Sequence, residues 1–155
     1  MSHPTDSAKT GSPEERVVSL WRKYGKSALG RRLYSFLFSR MVPYTGTIHP
    51  LIQSIEPGRS EVIIKDRKSI RNHLHSIHAV ALANLGELSS GLAMIAALPD
   101  NTRAIVTNLE IDYLKKARGT LVAKGEADPP DTITDPITLP AYAVNWFTVS
   151  RAAHR

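Results

Sequence analysis

The amino-acid sequence predicts an α+β domain in which an antiparallel sheet wraps around one long buried helix. Residues 78–98 span about six helical turns, and nearly every position there is apolar or small, as in a helix buried on all sides. Strand patterns joined by turns precede this helix at 47–66 and follow it at 104–127. Because a sheet buries one face against a helix, this order predicts a sheet wrapped on the helix.

Composition indicates a single domain in a reducing compartment. The chain has 155 residues, of which 42% are hydrophobic, and this suffices for one core. It contains no cysteine, which excludes a disulfide framework, a thiolate nucleophile and a thiolate metal ligand. We therefore expect a cytoplasmic protein, with a mitochondrial location left open by the arginine-rich N-terminal region.

The net charge of +6 indicates an anionic partner, but charge alone does not choose among nucleic acid, phospholipid and a phosphorylated cofactor. Aromatic residues make up only 6% of the chain and no basic run alternates with them, so we expect no nucleic-acid partner. No membrane span is expected either, because the one segment of suitable length, 79–98, carries Asn84, Glu87 and paired serines. Acidic residues near the start also argue against a secretory signal.

One or two amphipathic helices are predicted to pack on the domain after a disordered N-terminus at 1–11. Ser12, Pro13 and Glu15 supply an N-cap, a proline at the first helical position and a carboxylate at the third. Two apolar stripes follow at helical spacing: Val17, Trp21 and Tyr24, then Leu29, Leu33, Phe36 and Leu37. Three arginines flank the second stripe, and for them a solvated face is favoured over anion binding: Arg31, Arg32 and Arg40.

A β-hairpin is predicted next. Pro43-Tyr44-Thr45-Gly46 has the composition of a turn, and residues 47–55 form the first strand. Glu-Pro-Gly-Arg at 56–59 forms the hairpin turn, and residues 61–66 form the second strand.

The long helix carries leucines at helical spacing and one acidic residue, Glu87, in its middle. An ionised carboxylate buried there costs several kcal/mol unless it is paired or hydrogen-bonded, and otherwise its pKa rises. Polar residues lead into the same helix, among them Asn72 and three histidines. A buried carboxyl group near such residues is a candidate for a functional site.

Beyond the helix, Pro99-Asp100-Asn101 stops the helical pattern. Residues 104–116 alternate between apolar and polar positions, which predicts a half-buried strand, and 120–127 predicts another. Prolines then exclude interior strands from most of the tail, so 141–150 offers at most one more. We therefore divide the chain into a disordered N-terminus at 1–11, one domain at 12–127 and a proline-rich segment at 128–155.

The stretch around this helix resembles the hotdog-fold acyl-CoA thioesterases, in particular the PaaI-like group and its relatives of unassigned function. These proteins have an asparagine, a histidine six residues later that opens the helix, and a carboxylate nine residues further on. Asn72, His78 and Glu87 keep both spacings. The similarity covers residues 15–127 and includes four short sequence segments: VPYTGTIHP at 42–50, IEPG at 55–58, NHLHSIHA at 72–79 and YLKKARG at 113–119.

The resemblance implies hydrolysis of an acyl-CoA thioester, with coenzyme A as part of the substrate and no separate cofactor or metal. Glu87 would be the base that activates water or, less favoured, the nucleophile. The amide of Ala79, at the start of the helix, would be an oxyanion donor. Asn72 would orient the water or the carbonyl, and His78 would bind the leaving-group side or set the turn.

The resemblance also implies a homodimer or homotetramer whose site lies between two subunits. Acyl chains would lie along the apolar groove between helix and sheet. Four cations are candidates for binding the phosphates of coenzyme A: Arg103, Lys115, Lys116 and Arg118.

The sequence departs from the family at three places. Ala79 and Val80 stand where the family has glycines after its histidine, and Val106 stands where some members have a serine. The tail offers at most one of the two strands that close the family's sheet, so the C-terminal strands are expected to be incomplete. A non-catalytic module that binds acyl-CoA or a protein partner, or that only dimerises, is therefore the main alternative.

Each candidate residue also has a structural interpretation. Asn72 would be a turn cap, His78 a packing residue at the start of the helix, and Glu87 a carboxylate satisfied by backbone groups. The paired lysines would be ordinary surface charges. A metal site built from His73, His75, His78 and Glu87 is a lesser alternative, because the helix supplies a single carboxylate and the chain has no cysteine.

Overall fold

The structure, a computed structural model, describes residues 13–99, 102, 104–106, 108–128 and 147–151. The predicted disordered segment at 1–11 and most of the predicted tail lie outside these residues. The described chain is α+β, which confirms the predicted fold class. Its elements are α1 (Pro13–Tyr24), α2 (Ala28–Met41), α3 (Pro43–Gly46), β1 (Leu51–Glu56), β2 (Arg59–Ile64), α4 (Ala79–Ala97), β3 (Leu121–Glu126) and β4 (Phe147–Arg151).

The four strands form one antiparallel sheet in the order β1-β2-β3-β4. The predicted hairpin is present, with Glu56 paired to Arg59 across a turn in which Gly58 has φ +75°. Glycine suits this turn because its missing Cβ removes the steric penalty of the left-handed region. β4 is the single strand that the tail contributes to the described sheet.

α4 is the helix around which the sheet wraps, as predicted. Leu85, Leu88 and Leu92 are buried against the sheet, where Val62 and Ala123 are fully buried. By length and composition alone α4 could cross a membrane, but half of it is buried inside the domain, as expected for a core helix.

The closest approach between helix and sheet lies at Gly125. Any side chain at this position would overlap the carbonyl of Ser89 on α4. The same carbonyl accepts a hydrogen bond of 2.6 Å from the Ser60 hydroxyl of β2. Since a Cβ at residue 125 would push the two layers apart, the glycine sets their spacing.

α2 packs on the domain with a different face from the one predicted. Tyr34 and Phe38 are buried, and the Tyr34 hydroxyl donates to the Val17 carbonyl at 3.1 Å. The predicted stripe is exposed instead, with 76% of Leu29, 44% of Leu33 and 61% of Phe36 accessible to solvent. The prediction was wrong because α2 has apolar residues on two faces, and the larger aromatic pair occupies the core.

α2 also covers the outer edge of the sheet. The Ser35 hydroxyl accepts a hydrogen bond of 2.9 Å from the backbone amide of Ile52 in β1. An edge strand leaves such amides unpaired unless another group satisfies them. The segment that follows α2, predicted as a turn, is the single helical turn α3.

The predicted strand at 104–116 is absent from its described residues, 104–106 and 108–116, which have no regular secondary structure. Ile105 is 87% exposed and Leu114 is 91% exposed. Alternation supplies a face for a strand, but a strand also needs hydrogen-bonding partners on a neighbouring edge. Among the described residues, this segment pairs with none of the four strands.

Candidate active site

A tight loop leads into α4 and is held by Asn72. Its side-chain carbonyl oxygen accepts hydrogen bonds from the backbone amides of Leu74 and Ser76 and from the Ser76 hydroxyl, at 2.9, 3.2 and 3.1 Å. Asn72 therefore shapes the loop, as its structural interpretation requires. All of these bonds fall on the oxygen, and no group among the described residues accepts from the side-chain NH₂ of Asn72, whose two donors can bind another molecule.

His78 caps the N-terminus of α4. Its Nδ1 accepts a hydrogen bond of 3.1 Å from the amide of Val80, and its carbonyl accepts from Ala81 and Leu82. An Nδ1 that accepts is unprotonated, so in the neutral ring the proton lies on Nε2. His78 is exposed, and its Nε2–H is directed by the cap to serve as a donor outside the helix.

The amide of Ala79 differs from those that follow it. The amides of Val80, Ala81 and Leu82 all donate to atoms of His78, whereas no acceptor within the described residues takes the Ala79 N–H. Ala79 is also exposed. An open N–H at the positive end of a 19-residue helix can bind developing negative charge.

Glu87 lies in the middle of α4 and is half-buried. Burial raises the pKa of its carboxyl group above the ordinary glutamate range. The described residues provide its side chain with no hydrogen bond or ion pair, which argues against a purely structural carboxylate. Glu87 shares a helix face with Val80, Gly91 and Met94, all at least partly exposed, and an added Cβ at Gly91 would meet nothing within 4 Å.

One chain does not bring Glu87 together with His78. Nine residues of helix separate them along the axis by about 13 Å and by about two and a half turns. The carboxylate and the helix-capping histidine therefore lie on opposite sides of α4. The candidate residues therefore lie in two separate places: the loop with Asn72, His78 and the Ala79 amide, and the face of α4 that carries Glu87.

The predicted phosphate-binding cations lie beside the loop that carries Asn72 and His78. The Ile77 amide donates to the carbonyl of Ala117 at 2.9 Å, and the Arg118 guanidinium donates to the carbonyl of Leu74 at 3.4 Å. The neighbouring pair Lys115 and Lys116 is exposed. Arg103, the fourth candidate, lies outside the described residues.

Asp66 ties this region together and was not predicted. Its carboxylate accepts from the Arg71 Nε at 2.7 Å and from the Gly119 amide at 3.1 Å. The Arg71 guanidinium is the main cause that lowers the pKa of Asp66, and burial opposes it. The sequence pattern does not indicate this contact, because Asp66 and Gly119 are far apart in the chain.

Tyr113 is a second residue with a role that the sequence pattern does not indicate. Its hydroxyl donates to the carbonyl of Ala79 at 3.1 Å, which fixes the segment 108–116 against the start of α4. In the sequence, Tyr113 was marked only by its place in the family-like segment YLKKARG.

Within the described residues, the histidines around the loop are not grouped with Glu87 as the metal alternative requires. His73 and His75 are exposed, and His75 has φ +55° in the turn that Asn72 holds. In the part of the chain that the structure describes, no three histidine, cysteine or acidic side chains are grouped to hold a metal ion. Glu87, the only carboxylate in that alternative, lies about 13 Å along the helix from His78.

Comparisons with known proteins agree on the fold. A family described as a domain of unknown function, DUF4442, matches residues 30–147. A structural-genomics crystal structure, named without an activity, is 28% identical, covers 72% of this chain and 74% of its own, and has a TM-score of 0.64. A thioesterase family protein from Silicibacter pomeroyi is 16% identical over 63% of this chain and 74% of that one, with a TM-score of 0.57.

A further crystal structure comes from Ralstonia eutropha and is named as a candidate thioesterase related to phenylacetic acid degradation. It is 19% identical, covers 60% of this chain and 78% of its own, and has a TM-score of 0.52. Among curated proteins, no sequence matches this chain. The resemblance to hotdog-fold thioesterases is thereby confirmed for the fold.

Proposed function

Since the chain belongs to the DUF4442 family and has the hotdog fold of thioesterase-family proteins, we propose that it hydrolyses the thioester bond of an acyl-CoA. One observation carries this proposal: Glu87 is a half-buried carboxylate without a partner among the described residues, on an open face of a core helix. The start of the same helix presents an open amide at Ala79. Hydrolysis of an acyl group needs both a base and an oxyanion donor.

The site is proposed to form between two copies of the chain. Because Glu87 and His78 lie on opposite sides of α4, a thioester bound at one helix start requires the carboxylate of another α4. In a two-fold symmetric dimer the two exposed helix faces supply each other's missing half, which gives two equivalent sites. A homotetramer would be built from such dimers.

The chemistry assigns one role to each group. Glu87 takes a proton from water as the water oxygen attacks the thioester carbon, and the Ala79 amide stabilises the resulting oxyanion. The carbon–sulfur bond then breaks, the protonated Glu87 returns its proton to the leaving sulfur, and a carboxylic acid and the thiol of coenzyme A are released. The free NH₂ group of Asn72 and the Nε2–H of His78 are donors that orient the carbonyl and the sulfur side of the substrate.

The cations beside the loop complete the substrate site. Coenzyme A carries several phosphates, and Lys115, Lys116 and Arg118 come shortly after Tyr113, whose hydroxyl bonds to the start of α4. Multiple cations favour phosphate binding through charge-assisted hydrogen bonds. The apolar chain of the substrate would lie along the helix face that carries Val80 and Met94.

Thiol release from a panel of acyl-CoAs of different chain length tests the proposal. We expect Glu87→Gln to lower kcat by about 10²- to 10⁴-fold, because it removes a base and keeps the size of the side chain. Glu61→Gln, on the partly exposed surface of β2, is the matched control and should keep full turnover. Equal rates in Glu87→Gln and wild type would overturn the proposal.

A non-catalytic acyl-CoA-binding module is the second candidate. The exposed side chain of Val80 next to the Ala79 amide favours it, because bulk at this position hinders the approach of a carbonyl. Acyl-CoA binding by calorimetry with no thiol release from any member of the panel would support the module over the enzyme.

A further inference from the structure

The positive charge of the chain is concentrated in one region that the proposed chemistry does not use. Residues 16–55 contain seven lysines and arginines and no acidic residue. The rest of the chain contains 13 lysines and arginines and 14 acidic residues. With Glu14 and Glu15 at the start of α1 included, residues 13–50 carry a net charge of +5, so most of the net charge of +6 lies in α1, α2 and the segment up to β1. Such a region attracts an anionic surface.

The outward face of α2 is apolar within this cationic region. Leu29, Leu33 and Phe36 are exposed and lie at helical spacing on the side opposite the buried pair Tyr34 and Phe38. Aliphatic and aromatic side chains grouped on an exposed face are unusual unless another surface covers them. We name Leu29, Leu33 and Phe36 the α2 apolar face.

Two arginines frame the α2 apolar face. Arg32 and Arg40 are exposed, and with Phe36 they line a cleft of about 640 Å³ between α2 and the segment that leads to β1. His49 lies on the far wall of this cleft with φ +46°. Cations beside a cleft with an apolar rim suit an anionic headgroup attached to an apolar chain.

We propose that the α2 apolar face docks on an anionic phospholipid bilayer, with Arg32 and Arg40 at the phosphate level and Leu29, Leu33 and Phe36 in the outer acyl region. This mode is peripheral and differs from membrane spanning, since α4 stays in the core. An amphipathic helix binds in this way when apolar contact and cationic attraction act together.

Charge and shape favour this occupant over two others. A second copy docked through the same face would bring together two α2 helices, each with three arginines and no acidic residue, which repel each other. Nucleic acid would use the cations but would leave three exposed apolar side chains against a hydrophilic backbone. A bilayer with anionic lipids satisfies both the charges and the apolar group.

Co-sedimentation with vesicles tests the docking. We expect the full chain to bind vesicles with about 30 mol % phosphatidylglycerol and to bind pure phosphatidylcholine at least about tenfold more weakly. Raising the salt from about 0.1 M to about 1 M shortens the screening length from about 10 Å to about 3 Å and should release the protein. Arg32→Gln/Arg40→Gln should weaken binding about 30-fold, with Lys65→Gln/Lys124→Gln as the charge-matched control.

The apolar contribution is tested separately. Leu33→Ser/Phe36→Ser should weaken vesicle binding at least about tenfold, whereas Ile105→Ser/Leu114→Ser, at positions elsewhere that are even more exposed, should not. A tryptophan at position 36, introduced by Phe36→Trp, should shift its emission to shorter wavelength on the vesicles, and Leu114→Trp should not. All these side chains are exposed, so unchanged thermal unfolding is expected to show that each variant folds.

Three results would overturn the proposal. The first is no binding to anionic vesicles, or binding that the α2 variants and their controls share equally. The second is tight binding of duplex nucleic acid that depends on Arg32 and Arg40 but is unaffected by Leu33→Ser/Phe36→Ser. The third is loss of self-association in Leu33→Ser/Phe36→Ser, which would assign the face to a second copy.

Discussion

Exchange of half-sites between two chains gives the sharpest prediction from this structure. Nine residues of helix place Glu87 about 13 Å and half a turn away from His78, so a site that uses both must take them from different chains. A chain with His78→Ala keeps its Glu87 half-site, and a chain with Glu87→Gln keeps its His78 half-site. A purified hybrid of these two chains therefore contains one intact site and one doubly damaged site.

We expect this hybrid to show about half of the wild-type turnover per dimer, while each parent homodimer falls about 10²-fold or more. Two different affinity tags and sequential purification isolate the hybrid, and thiol release from an acyl-CoA measures its activity. The matched control places His78→Ala and Glu87→Gln in the same chain and pairs it with a wild-type chain. That hybrid should be nearly inactive, because each of its sites lacks one group.

A site contained within one chain reverses both results. The control hybrid would then keep half of the activity, and the hybrid of two single variants would lose it. A fully active His78→Ala homodimer would show instead that the histidine has no part in the reaction.

Other predictions concern pH and stability. The raised pKa of Glu87 should make kcat/KM rise with pH through a value above the ordinary range for glutamate, because the base must be ionised, and the pH–rate profile measures this. Because the pKa of Glu87 is higher in the folded than in the unfolded protein, the fold is most stable below the unfolded pKa and loses stability as pH rises through the folded pKa. Glu87→Gln should therefore be thermally more stable than wild type at pH 7 but not at pH 4. Gly125→Ala should lower the free energy of unfolding by roughly 1–3 kcal/mol in urea titrations, because a Cβ there overlaps the Ser89 carbonyl, and an unchanged midpoint would contradict the packing described. The pKa of Asp66 is lowered in the folded protein, so the stability that its carboxylate adds is present above the unfolded pKa of about 3.9 and is lost as pH falls through the folded pKa. Asp66→Asn should remove this loss of stability at low pH and should speed hydrogen exchange at the Ile77 amide.

The parts of the fold with a strong local pattern could be predicted from the sequence. The helix at 78–98 and the hairpin around Gly58 occur where expected, because burial on all sides and a glycine turn leave few alternatives. The face of α2 could not be chosen in this way, since both Leu33 and Tyr34 lie on apolar stripes and tertiary packing decides between them. The strand predicted at 104–116 failed for a related reason, because alternation does not supply a pairing edge.

The candidate site was predicted from a resemblance and only partly from physics. The spacing of Asn72, His78 and Glu87 identified the residues, and their chemical roles stay predictions. A simple count along the helix would already have shown that His78 and Glu87 lie on opposite sides. The contact between Asp66 and Gly119 was out of reach, because it joins residues from two separate turns that only the folded sheet brings together.

The hydroxyl of Ser35 has a consequence for how the domain meets other chains. By accepting the Ile52 amide, it closes part of the sheet border formed by β1, where a foreign strand would otherwise find an open donor. Extension of the sheet by a neighbour is thereby disfavoured on that side. Removing α2 would expose this border together with the aromatic pair beneath it, so the helix protects the domain from uncontrolled strand addition.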